Sequence, residues 1–244
     1  MTALAFDEYV AAIRTETAAM LAAATRAGLG ARVPSCPDWD VAGLLEHIGG
    51  VHRWATATVA AGAADSPAGM EIVAPPPADR PDWVEAGAAA LVDALTTAGP
   101  SAPAWSWTGD RTAGFWARRQ AHETAVHRVD AELAAGAVTP VPASLAADGI
   151  DELFTMMAPR PVEPATVAAT GTMHVHRTDG DGEWLVRLTD EGIVVAREHA
   201  KGDVAVRGGA SDLLLFLYNR ASDEPLEVFG DVAQAQRWRD LLRH

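Results

Sequence analysis

The sequence predicts an α+β protein: a four-helix bundle over residues 1–142, a bridging helix and linker over 143–164, and a smaller α+β domain over 165–244. Three observations carry this. Four runs before Ala135 read as helix, the first two by apolar residues at roughly helical spacing and the fourth by strong helix formers without Gly or Pro. The stretch 136–142 (GAVTPVP) then breaks the pattern. From about Ala165 the chain turns into short, β-branched, partly alternating segments, and strands gathered away from a run of helices point to a second unit.

The first helix is expected over residues 6–27, where Tyr9, Val10, Ile13, Met20 and Leu21 keep the spacing and Gly28 and Gly30 end it. A loop with two prolines, Val33-Pro34-Ser35-Cys36-Pro37-Asp38-Trp39-Asp40, leads to a helix over 41–61, with Asp40 or Asp38 as N-cap. Its apolar stripe is Leu44, Leu45, Ile48, Val51 and Ala55. The Gly49-Gly50 pair costs about 1 kcal/mol per glycine relative to alanine, so something is expected to pack closely there. Residues 63–81 read as a long loop, 83–98 as a third helix, and 115–135 as a fourth that contains no Gly or Pro. Residues 144–157 read as a short bridging helix. Strands are expected over 166–177, 184–189, 193–198 and 203–207, with DGDG at 179–182 and DEG at 190–192 as turns. Helices are expected over 210–219 and 231–242.

The net charge of −14 argues against nucleic acid and anionic membranes as partners, since both need a basic surface. No apolar run approaches the roughly 18–20 residues that span a bilayer. The N-terminus carries early acids and lacks a basic region followed by an apolar core, so no signal peptide is expected. A single cysteine, Cys36, excludes an internal disulfide framework and fits a reducing cytoplasm.

The chemistry concentrates in the fourth helix. Glu123 and His127 are four residues apart and project from one helix face, where a carboxylate and an imidazole can share a metal ion. The local string His122-Glu123-Thr124-Ala125-Val126-His127 is not the zinc-protease motif His-Glu-x-x-His, which would need its second histidine where Val126 stands. His47, midway along the second helix, is the natural third ligand. A lone histidine there is more often a hydrogen-bonded core residue, and Glu123 with His127 also reads as an ordinary i,i+4 pair on a solvated face. If the three converge, two nitrogens and one carboxylate oxygen leave a coordination position open, which suits catalytic zinc or nonhaem iron(II). Water or an external thiol could take that position. Asp130 could orient His127 or pair with an arginine. Arg118 and Arg119 either solvate the helix or hold a carboxylate, and Cys36 reads as an inert packed thiol. Trp39, Trp54, Trp105, Trp107 and Trp116 read as packing rather than a substrate cage. His174 and His176 share a strand face, but no acidic partner is evident, so no second metal is expected.

The segments PSCPDWDVAGLLEHIGGVHRWA and FWARRQAHETAVHRVDAE resemble the paired helices of the mycothiol-dependent maleylpyruvate isomerase family, within the DinB-like metal-binding four-helix bundles. The tail from Asp179 to Arg220 resembles that family's sterol-carrier-like C-terminal α+β domain. The resemblance implies metal ligands at His47, Glu123 and His127, a divalent ion such as Zn2+, and mycothiol as thiol cosubstrate. It also implies a catalytic arginine at Arg220, which follows Asn219 where a glycine is common. The implied function is that of an isomerase or S-transferase in which a metal-bound thiolate adds to a small electrophile bearing a carboxylate. The trio does not separate the two reactions. The competing readings are a non-catalytic metal-containing binding protein and a thiol-independent metal hydrolase.

Overall fold

The computed structural model describes residues 4–62, 70–157 and 164–242. It divides into two compact units, Leu4–Thr139 and Pro140–His244.

The first unit is a bundle of α1 (Phe6–Ala27), α2 (Val41–Ala61), α3 (Arg80–Ala98) and α4 (Ala113–Ala134). Helix α1 packs chiefly on α4 and α2 on α3, while α1–α3 and α2–α4 contacts close the square. Asp40 caps α2 by accepting the Gly43 N–H at 2.8 Å. Thr112 caps α4 by accepting from the Phe115 N–H at 3.2 Å. Helix α3 begins earlier than expected, after a 3-10 turn at Pro77–Asp79. Pro81 lies in its first turn, where a missing N–H costs nothing and the fixed φ suits a helix. Of the expected loop before α3, residues 63–69 lie outside the described residues.

Met20, Leu44, Leu45, Ile48, Val84 and Ala131 are fully buried and join the four helices in one core. Gly49 is where α2 and α3 approach, because a Cβ there would lie 2.2 Å from the Trp83 ring. Gly50 meets nothing comparable. Helix α4 is buried around nearly its whole circumference although it has no apolar stripe. Its charges are paired instead. Arg128 donates to Glu16 on α1 at 2.7 Å, to Glu132 at 2.7 Å and to the Thr139 carbonyl at 2.6 Å. A polar helix can sit at the centre of a bundle only when its buried groups find such partners.

In the second unit, α5 (Ala143–Glu152) runs into a π turn at Leu153–Met157. Then come α6 (Pro164–Thr170), β1 (Thr172–Arg177), β2 (Glu183–Thr189), β3 (Gly192–Ala196), β4 (Val204–Gly208), α7 (Ala210–Leu217), β5 (Glu227–Gly230) and α8 (Val232–Leu241). The linker residues 158–163 lie outside the described residues. The sheet order is β3-β2-β1-β4-β5, antiparallel except for the parallel β1–β4 pair. The stretch expected as one strand over 166–177 is helix α6 followed by β1. Thr166 and Val167 suggest a strand, but Pro164 starts a helical turn and Gly171, at φ +65°, stops it. Strand β5 was not expected at all. Met173, Val175, Trp184, Val186, Val204 and Val206 lie on the buried face of the sheet. The alternate residues of β1, His174 and His176, face the other way.

Candidate metal centre

His47 on α2 and Glu123 and His127 on α4 come together in the bundle. One ligand atom from each lies within 4.8 Å of the others. His47 Nε2 is 3.0 Å from Glu123 Oε1, and His127 Nε2 is 3.3 Å from the same oxygen. A tetrahedral ion with ligands at about 2.0–2.1 Å would hold its ligand atoms about 3.3 Å apart, so the donors fit one small divalent cation. The i,i+4 spacing on α4 accounts for the Glu123–His127 contact, and the α2–α4 packing supplies His47.

The surroundings fix each ligand. Asp130 Oδ2 lies 2.8 Å from His127 Nδ1, which holds a proton on Nδ1 and turns Nε2 toward Glu123. Asp130 is fully buried and also accepts from the Ser35 hydroxyl and, at 3.9 Å, from the Cys36 thiol. Arg119, only 5% exposed, donates to the second Glu123 oxygen rather than solvating the helix. The Trp39 ring lies 4.9 Å from His47 and 5.9 Å from His127, centroid to centroid. Trp54, Trp105, Trp107 and Trp116 pack edge-on or tilted against one another elsewhere in the bundle.

Electrostatics follow the geometry. Burial opposes charge on Glu123, but the Arg119 guanidinium and hydrogen bonds from His127 and His47 hold its carboxyl well below the usual carboxylate range. Burial likewise opposes charge on His127, yet hydrogen bonds to Asp130 and Glu123 raise it to about 9. His52 behaves oppositely: burial pushes it down to about 4. Its Nε2 meets Thr124 Oγ1 at 3.0 Å, and Thr124 itself donates to the Gln120 carbonyl, so His52 must be the donor in that contact. It stays neutral and outside the ligand set. His122 is buried with its ring T-shaped to that of Tyr9.

Arg220 belongs to the second unit. Asn219 before it has φ +60°, the left-handed conformation, which asparagine is among the few non-glycine residues to adopt readily. Asn219 Nδ2 donates to the Arg239 carbonyl at 2.8 Å, and Arg220 Nη1 donates to the Tyr218 carbonyl at 2.8 Å.

Sequence reasoning passed over Ser35 and Trp39 as site residues. Both lie in the PSCPDWD loop, whose course carries no periodic signal. It also found no acidic partner for His174 and His176. The structure corrects this, because Glu183 contacts both at 3.1 and 3.2 Å.

Comparison with known proteins agrees with the architecture. The mycothiol maleylpyruvate isomerase N-terminal domain matches residues 10–132, and the corresponding C-terminal domain matches residues 144–237. Two solved structures of the mycothiol-dependent maleylpyruvate isomerase, one a histidine-to-alanine mutant, share the fold. The mutant superimposes with TM-score 0.65 at 14% identity, covering 95% of this chain and 98% of that one. The other gives TM-score 0.64 at 14% identity with the same coverages of 95% and 98%. No curated protein matches the chain. Among the described residues, no helix is long and apolar enough to cross a membrane.

Proposed function

Because the chain belongs to the mycothiol maleylpyruvate isomerase family, we propose that it is a metal- and mycothiol-dependent enzyme acting on a small electrophile that bears a carboxylate. The observation that carries this reading is the meeting of His47, Glu123 and His127 with their ligand atoms within 4.8 Å. A divalent ion held by this set, such as Zn2+, would keep a coordination position for sulfur and lower the proton affinity of an incoming thiol.

The reaction class is addition of the thiol across an activated cis double bond, rotation about the resulting single bond, and elimination that returns the thiol and the trans isomer. An S-transferase shares the first step and keeps the adduct. The chain's own contribution is to present the donors in fixed orientation. Asp130 holds the His127 tautomer, Arg119 fixes the second oxygen of Glu123, and Trp39 walls the two imidazoles. Arg220 would hold the substrate carboxylate and stabilise enolate charge as it develops.

The test is turnover of maleylpyruvate and of a panel of carboxylate-bearing electrophiles, with and without mycothiol and a chelator. Turnover should require both thiol and metal. His47→Ala should lower kcat/KM by more than the roughly 10–100-fold that loss of an outer partner costs. Arg220→Ala should raise KM for carboxylate substrates. Turnover without thiol would favour a hydrolase, and stoichiometric metal without turnover would favour a binding protein; either result overturns the proposal.

A further inference from the structure

We propose that the C-terminal unit carries a metal site of its own, in which His174, His176, Glu183 and His199 bind one divalent ion of the zinc class. The inference rests on that unit alone and stands whether or not the bundle trio is catalytic.

The fold assembles this group from three segments. His174 and His176 are two apart on β1 and share the sheet face opposite the buried Met173 and Val175. The β1–β2 register sets Glu183 directly across from His176 and leaves His174 on the diagonal, within reach of a long side chain. Strand β3 ends at Ala196 beside Leu185, and β4 begins at Val204 beside Met173. Residues 197–203 must therefore cross from one side of the β2–β1 pair to the other, and they carry His199 to Glu183. His199 Nδ1 is 2.6 Å from Glu183 Oε2, His174 Nε2 is 3.1 Å from the same oxygen, and His176 Nδ1 is 3.2 Å from Oε1. The three imidazole centroids lie 5.3, 6.0 and 6.2 Å apart, and one ligand atom from each of the four residues falls within 4.8 Å of the others.

Chemistry favours a cation at the centre. One carboxylate balances the charge of one imidazolium, whereas three protonated rings at these separations would repel. Three neutral imidazole lone pairs and a carboxylate form a complete tetrahedral shell. Nitrogen-rich donors of this kind select zinc-like ions over calcium or magnesium. The entry path is open: Glu183 and His199 line one surface pocket, and His174 and His199 line another with Lys201 and Asp203. With all four positions filled by protein, the ion would tie the 197–203 crossover to the sheet rather than activate a substrate.

The test is equilibrium dialysis against Zn2+ with metal analysis of the full chain carrying His47→Ala. One zinc per chain should remain, and zinc should raise the Tm of this variant. Adding His199→Ala, whose side chain is 79% exposed and so contributes little to packing, should weaken that remaining binding by more than about tenfold and abolish the Tm rise. In the otherwise unchanged chain the same His199→Ala substitution should lower the zinc content by one ion, which keeps the test valid if His47→Ala does not fold. Zinc uptake indifferent to His199→Ala and His174→Ala would overturn the site and leave a hydrogen-bonded histidine cluster only.

Discussion

Asp130 does for His127 what an outer-sphere carboxylate does for a metal-bound imidazole: it holds the proton on Nδ1 so that Nε2 is free to coordinate. Asp130→Asn should therefore leave the bundle folded while weakening zinc at the trio by roughly 10–100-fold, as measured by chelator competition. Unchanged affinity would mean that Asp130 serves only the loop through Ser35. The raised His127 value gives a second prediction. A group whose folded value lies above its unfolded one contributes stability that is complete below about 6.5 and is lost as pH rises through the folded value, here about 9. Metal-free protein should lose stability over that window. Coordination through Nε2 needs the neutral ring, so zinc uptake at pH 8 should release a proton that an indicator dye can count. Uptake without proton release would show that His127 is not a ligand. Helical periodicity put Glu123 and His127 on one face of α4 and Asp130 one turn beyond, whereas His47 lies on another helix and joined them through the family resemblance. Ser35 and Trp39 could not be read from the sequence, because a loop's course has no period. Glu183 and His199 escaped for another reason: their meeting with His174 depends on strand register and on a crossover.

At the scale of elements, Gly49 shows how a helix-weakening residue is set by its neighbour. Close packing is expected at Gly49-Gly50; the structure places it at Gly49 alone, against Trp83. Gly49→Ala should destabilise the bundle by roughly 1–3 kcal/mol through overpacking, outweighing the gain in helix propensity of about 1 kcal/mol. Urea unfolding measures this, and Gly50→Ala, which meets no obstacle, should be neutral or stabilising. The elements that were misread share a cause. Pro81 and Pro164 look like breaks but sit in first turns, and the four-residue β5 is too short to show alternation. Helix α4 was found by its propensities and its lack of Gly or Pro inside the run, although it has no apolar stripe, because partners on α1 and in the 132–139 turn satisfy its charges.

At the scale of the whole molecule, the change from helical to alternating pattern was legible, and it separates an all-helical unit from one built on a five-stranded sheet. The net charge of −14 sets an expectation against nucleic acid and anionic membranes without naming a partner. The central claim concerns the bundle: one cation at His47, Glu123 and His127 with a place left for sulfur. X-ray absorption at the zinc edge tests this most directly, on chain carrying His174→Ala and His199→Ala so that only the bundle ion is seen. Without thiol the shell should contain nitrogen and oxygen only, since Cys36 is turned to Asp130. Adding mycothiol should bring in one sulfur at about 2.3 Å. A shell that stays free of sulfur at saturating thiol would contradict the account.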